Sequence, residues 1–390
     1  MASPATPATG SATPQPPPPD AHPALPDLQV SFHVAAEITA EPRWDSGLGP
    51  GHGIHVLDGG LVLEAGRRFA VLDEDRFVED TALAKAIGPG RTPLIFFGAW
   101  PKATFAQLLD EAQSSVNYQQ GALYRYRGGR FQLLKKTGWN TYYEGAYYPG
   151  DGRLGALLWS YLDGFSQTWI EILEGSTKGP IATPTTVSDG QARIGIHTML
   201  SLRTGHLFTY GPDKSTPTTE GAVERWDPGQ SRSVIERPPL PEGTHLEAVG
   251  LSGSAPTDVY LCGKLKATRD VAPSQLYMAR FNGSAWTRLH APAPIPVEWP
   301  PRCKPTADGA LWLLALEGDR PALYYRTRDG SWSVAQLPAP QDGGSWDAAV
   351  SFVVTAPDDL WLLLRRETEP ARLTLFRTKP VSAVLHFGEK

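Results

Sequence analysis

The stretch "LYMARFNGSAWTRL", residues 276–289, holds two runs of alternating apolar and polar residues joined by Asn282-Gly283, with Trp286 opening the second run. Asn-Gly between alternating runs signals an antiparallel hairpin, because glycine takes the positive φ that a tight turn needs. Asn282-Gly283-Ser284 also fits a glycosylation sequon, but the turn accounts for the same residues without a modification. The aromatic that follows is expected to pack against neighbouring structure.

Degenerate relatives of this unit recur along the chain. Short apolar strands leave a turn residue in "GGLVLEA" at 59, "TPLIFFGA" at 92, "GALLWSYL" at 155, "GHLFTYG" at 205, "TDVYLCG" at 257, "GALWLLAL" at 309 and "DDLWLLLR" at 358, the last four about every fifty residues. A hairpin follows each, as in "ALYYRTRDGSWSVAQL" at 322, and a further strand precedes several, as in "HLEAVGLSGS" at 245. A unit of four antiparallel strands repeated at this spacing is what a β-propeller requires, since each twisted sheet buries its faces only against its neighbours. The reading is all-β: a seven-bladed propeller of four-stranded antiparallel blades over residues 28–390, with six or eight blades compatible with the same spacing. "LQVSFHVAAEITAE" at 28 is expected to add a strand to the C-terminal blade and close the ring, because an open ring exposes a sheet edge.

The "DVYLCG…RFNGSAW" and "DLWLLL…LFRT" patterns resemble the bacterial β-propellers with WD40-like, kelch-like or sialidase-type repeats, many of them exported lipoproteins. The resemblance covers roughly residues 53–388 and implies the fold and an exported, lipid-anchored precursor. It carries over no catalytic residues, because "TRDGSW" at 327 is one residue shorter than the sialidase Asp-box and the paired glycines of kelch repeats do not recur.

With 36 basic and 41 acidic residues the net charge is −5, and no basic stripe interleaved with aromatics follows a phosphate backbone, which argues against nucleic acid. No run of about 18 apolar residues offers a membrane span. Cys262 and Cys303 form neither a CxxC nor a zinc pattern, and sit where one disulfide could join successive blades. Residues 1–27, "MASPATPATGSATPQPPPPDAHPALPD", are too poor in burying side chains to fold and read as a disordered tether without the basic and apolar regions of a signal peptide. The missing signal peptide fits either a cytosolic protein or a mature form whose leader has been replaced; the tether, the tryptophan-rich repeats and the cysteine pair favour the expectation of an extracytoplasmic one.

Chemistry is hard to locate. His52 and His55 lie in a glycine-rich loop context, and His197, His206 and His245 near blade starts; none has metal-ligand spacing, although His55 and His197 could face the central channel. "GLSGS" at 250 lacks the last glycine of a nucleophile elbow, no phosphate-binding glycine motif occurs, and pairs such as Asp358-Asp359 read as turn residues. No catalytic residue, metal or cofactor is assigned.

Two stretches depart from the repeat. In "PKATFAQLLDEAQSS", 101–115, Phe105, Leu108, Leu109 and Ala112 fall at helical spacing and Thr104 with Gln107 resembles a capping box, predicting an inserted helix. "GWNTYYEGAYYPGDG", 138–152, concentrates Trp139, Tyr142, Tyr143, Tyr147 and Tyr148 around Glu144, a candidate ligand surface in which Gly145 should introduce a bulge. The functional expectation is a non-catalytic binding or assembly module for a protein partner at a bacterial cell envelope. The alternative is a glycan-handling propeller, lectin or carbohydrate-active enzyme, that uses the central depression.

Overall fold

The computed structural model describes residues 25–39, 52–57, 60–99, 103–110, 120–127, 129–137, 141–147, 155–162, 165–172, 198–212, 221–228, 234–267, 275–291, 302–317, 320–340, 343–368 and 370–387. Their strands form seven separate antiparallel-built sheets, numbered I to VII by position in the chain: I (52–79), II (91–136), III (141–172), IV (198–236), V (244–289), VI (302–335) and VII (348–387). Each runs as a meander from the axis outward. The innermost strand of each is its first, and neighbouring innermost strands lie side by side: His52–Leu57 next to Arg91–Ala99, then Thr141–Tyr147; and Thr198–Ser201 next to Thr244–Ala255, Arg302–Pro305, Ala348–Ala356 and back to His52–Leu57. This is a β-propeller.

The expected seven four-stranded blades need correction. Six sheets have four strands or more, whereas sheet III has three among the described residues. After Ile172 the chain reads "LEGSTKGPIATPTTVSDG", which lies outside the described residues. Among the described residues the architecture is therefore a propeller of six complete blades, with sheet III contributing three strands.

Two sheets gain strands from the N-terminal segment. Asp27–Leu28 lies parallel on Trp332–Ala335 at the outer edge of sheet VI. His33–Thr39 pairs antiparallel with Arg372–Arg377 in sheet VII and, on its other side, parallel with Leu385–Phe387. The N-terminal strand thus joins the C-terminal blade as its sequence position required.

Burial explains the strand sequences. In sheets V and VII the second strand is covered on both faces by neighbouring sheets, so Val259 to Cys262 and Leu360 to Leu364 are all within 1% of full burial and alternation disappears. The core is accordingly a set of layers between sheets. Phe208, Val223, Leu261 and Phe281 fill the space between IV and V; Tyr260, Met278, Leu313 and Tyr324 that between V and VI. Trp312, Leu323, Phe352 and Leu362 join VI to VII, Leu63, Ile54, Trp361 and Leu375 join VII to I, and Val62, Phe69, Phe96 and Leu108 join I to II.

Tryptophans at the start of outer strands reach back to the preceding sheet. Trp286 Nε1 donates to Glu236 Oε2 at 2.8 Å and Trp332 Nε1 to the His290 carbonyl at 3.1 Å. The turn before Trp286 is as its sequence requires: Gly283 has φ 97°, and Asn282 Oδ1 accepts from the Ser284 and Ala285 amides at 3.0 and 2.9 Å.

The predicted helix at 101–115 is not formed. Ala103–Asp110 is the second strand of sheet II, and residues 104–109 are all buried. Two-sided burial removed the period of two, and the surviving spacing of Phe105, Leu108 and Leu109 imitated a helix. The helix lies instead at Thr81–Ile87, between sheets I and II, where Asp80 Oδ1 accepts from the Leu83 amide at 2.8 Å.

Candidate functional site

Of the candidate aromatic segment, Trp139 and Tyr148 lie outside the described residues, and Glu144 and Tyr147 belong to the strand Thr141–Tyr147 without described side chains. Tyr143 is 3% exposed and stacks on Phe97 of sheet II with ring centroids 5.9 Å apart. It is a packing residue between sheets II and III. Tyr142, on the other face, is half-buried, and burial raises its phenol pKa above the ordinary tyrosine value. The register slips between Tyr143 and Gly145, so a bulge resets the side-chain parity that follows.

Gln107 fixes this strand. Its amide nitrogen donates to the Thr141 carbonyl at 2.5 Å and its Oε1 accepts from the Tyr143 amide at 2.8 Å, so one buried side chain from sheet II satisfies backbone groups of sheet III. The residue read from sequence as part of a helix cap is a bond between two sheets.

Among the described residues the histidines are brought to no common point. His55 points between sheets I and II, 2.7 Å from Glu64 Oε2 and edge-on to Phe96 at 4.9 Å. His197 lies outside the described residues, and His245 pairs with Glu247 at 3.4 Å on sheet V. Among the described residues no three His, Cys, Asp or Glu side chains converge as a metal site would need. Asp358 and Asp359 differ in role: Asp358 meets Lys379 at 2.9 Å at the surface, while Asp359 pairs with the buried Arg377 rather than only shaping a turn.

Two features escaped the sequence reading. The first is the outer strand of sheet II, Arg130–Lys136, whose inner neighbour is Gly121–Arg127 and whose other edge is joined by no described strand. Leu133 and Leu134 on it are 52% and 46% exposed. Beside them a small cavity of about 60 Å³ is lined by Leu133, Leu108 and Tyr124, with Arg91, Asp110 and Lys136 at its margin. Between 121 and 136 the chain carries Arg125, Arg127, Arg130, Lys135 and Lys136 and no acidic residue. The doubled leucine against doubled lysine in "RFQLLKK" was the available signal.

The second is the innermost strand of sheet VI, Arg302–Pro305. Cys303 faces sheet V and is joined to Cys262 by a disulfide, with Cα atoms 6.2 Å apart. Arg302 and Lys304, one residue to either side, face the opposite way, and Arg302 Nη1 donates to the Val350 carbonyl of sheet VII at 3.0 Å.

No family model matches the chain, and no curated protein matches it by sequence. Solved structures do share its fold. A prolyl endopeptidase from a study of two such enzymes is similar at TM-score 0.50 and 12% identity over 83% of this chain, which spans 46% of that one. The polysaccharide lyase Uly1 gives TM-score 0.49 and 11% identity, covering 87% of this chain and 92% of its own. An α-L-arabinanase of Penicillium chrysogenum complexed with arabinobiose gives 0.44 and 11%, covering 89% and 98%. At 12% identity the prolyl endopeptidase speaks to the fold alone, and the other two, at TM-scores below 0.5, carry no argument.

Proposed function

We propose that this chain is a non-catalytic binding module whose partner is a protein, docked by an extended acidic and apolar segment along the outer strand of sheet II. The observation that carries this reading is the exposure of Leu133 and Leu134 on an outer strand that no further described strand joins, the helix Thr81–Ile87 being its described neighbour outside the sheet. Exposed edges invite strand addition, and a partner's backbone would supply the ladder while side chains give specificity. The molecule already uses this mode on itself, since Asp27–Leu28 lies along the equivalent outer edge of sheet VI. The five cations between 121 and 136, in a chain of net charge −5, favour an acidic partner segment. The disulfide supports an oxidising compartment, and we place the module at the cell envelope, with a lipid anchor on its precursor.

The test is selection from a displayed library of extended peptides, followed by titration of a selected peptide against Leu133→Ser/Leu134→Ser. Acidic, apolar-alternating peptides should be enriched, and the variant should bind at least about ten-fold more weakly with an unchanged melting temperature. Equal binding by the variant rejects the site. The glycan-handling reading draws on Tyr142, a half-buried ring on an innermost strand. Glycan-array binding lost in Tyr142→Ala, with no peptide enriched, would favour it.

A further inference from the structure

A different site, independent of the docking edge, emerges from the innermost strand of sheet VI. Strand alternation sends Arg302 and Lys304 to one face, and the disulfide at Cys303 holds the opposite face against sheet V. The strand stands between the innermost strands Thr244–Ala255 and Ala348–Ala356, so it borders the central channel. Both side chains are exposed to solvent. Yet protein surrounds them closely: burial pulls the Lys304 pKa below the ordinary lysine value, the Arg302 charge adds to this, and burial lowers Arg302 as well.

Two like charges held two residues apart in such a place are costly unless an anion compensates them. Among the described residues none does. No carboxylate figures in the electrostatics of either group, and the Val350 carbonyl takes a single bond from the Arg302 guanidinium. A guanidinium offers a planar fork for a carboxylate, sulfate or phosphate, and an ammonium offers a mobile point charge. Two strand residues span about 6 to 7 Å, which sets the separation of the groups they can hold together.

We propose that Arg302 and Lys304 form a channel site for a small ligand carrying two anionic groups about 6 to 7 Å apart. The strand supplies the spacing, and the disulfide on its other face fixes the strand that carries the two cations.

The experiment is calorimetric titration of the full chain at low salt with adipate, digalacturonate and fructose 1,6-bisphosphate, and with galacturonate as the single-charge control. At least one of the first three ligands should bind below millimolar concentration, at least about ten-fold tighter than galacturonate, and weaken steeply with added salt. The ranking of the three separates dicarboxylate, acidic sugar and phosphate ligands. Arg302→Gln and Lys304→Gln should each reduce affinity at least about five-fold, while Lys304→Arg retains it; thermal melting of every variant separates lost binding from lost folding. Absence of binding by all three ligands at 10-fold above millimolar overturns the proposal, as does undiminished binding by the folded double glutamine variant. Peptide docking on sheet II is unaffected by either outcome.

Discussion

Arg377 grips the carboxylate of Asp359 with two bonds, Nε to Oδ1 at 2.7 Å and Nη2 to Oδ2 at 3.0 Å, while its guanidinium lies 4.6 Å from the Trp361 ring. The arrangement recurs in sheet V, where Arg280 Nε meets Asp258 Oδ1 at 2.7 Å and lies 5.7 Å from the Tyr260 ring. Asp-x-aromatic at the start of a second strand and Arg on the third is thus a repeated fastening, written as "DVY" and "DLW" in the sequence. Arg377→Met leaves the carboxylate enclosed without its partner and should lower stability by about 3 kcal/mol in urea unfolding.

The same pair sets a pH dependence. Burial alone would raise the Asp359 pKa, but the bonds from Arg377 and Thr355 and the nearby positive charges outweigh it and hold the carboxyl below the ordinary range. Since the folded pKa is depressed, this stabilisation is complete above the unfolded value of about 3.9 and is lost as pH falls through the lower folded value. Asp359→Asn should therefore start less stable at neutral pH and lose less than wild type below about pH 4. Parallel acid-unfolding curves would contradict it.

Gln107→Leu removes both bonds from sheet II to the backbone at Thr141 and Tyr143. A loss of about 2 kcal/mol is expected, with faster hydrogen exchange at the Tyr143 amide. Gln107→Glu keeps the shape but removes the donor, and should be nearly as damaging. Unchanged exchange would show that Gln107 does not hold the strand.

Trp286→Ala and Trp332→Ala should each cost about 3 to 5 kcal/mol, because the rings are 9% and 6% exposed and bridge successive sheets. Trp286→Phe keeps most of the burial but gives up the bond to Glu236, so a cost of about 1 to 2 kcal/mol separates ring from hydrogen bond. Costs below about 1 kcal/mol for the alanine variants would place the rings in solvent.

The bond between Cys262 and Cys303 spans 41 residues, and chain entropy gives such a link about 4 kcal/mol. Thiol titration of denatured, unreduced protein from an oxidising compartment should find no free cysteine, and Cys303→Ala should melt lower. Two free thiols would remove the link.

Architecture was legible because the second strands repeat their signature: Leu207, Val259, Leu311 and Leu360 follow turn residues and are all at most 2% exposed. What failed failed for a physical reason. Phe105, Leu108 and Leu109 sit in a strand buried on both faces, where hydrophobicity has no period to read, and the third sheet's sequence runs into a stretch with no pattern to extend. At the aromatic segment, composition showed that rings were concentrated but not which way they pointed; Tyr143 is packing, and only Tyr142 among those described keeps a partly open face. Arg302 and Lys304 were invisible as a pair because their meaning depends on the strand's place beside the channel, which no local pattern encodes.

The pairing of His33–Thr39 with Arg372–Arg377, and of Asp27–Leu28 with Trp332–Ala335, has a consequence for the order of assembly. A chain emerging from the ribosome delivers these first strands more than three hundred residues before their partners exist. Until then they are unmatched edges, able to join a neighbouring chain as readily as their own. Sheets I to V can form as they appear, VI is finished once Trp332–Ala335 exists, and VII only once Arg372–Arg377 and Leu385–Phe387 are released. Completion is therefore a single late event across the longest contacts in the molecule, slow by topology. A truncation that removes Arg372–Arg377 and Leu385–Phe387 leaves His33–Thr39 as a free adhesive end.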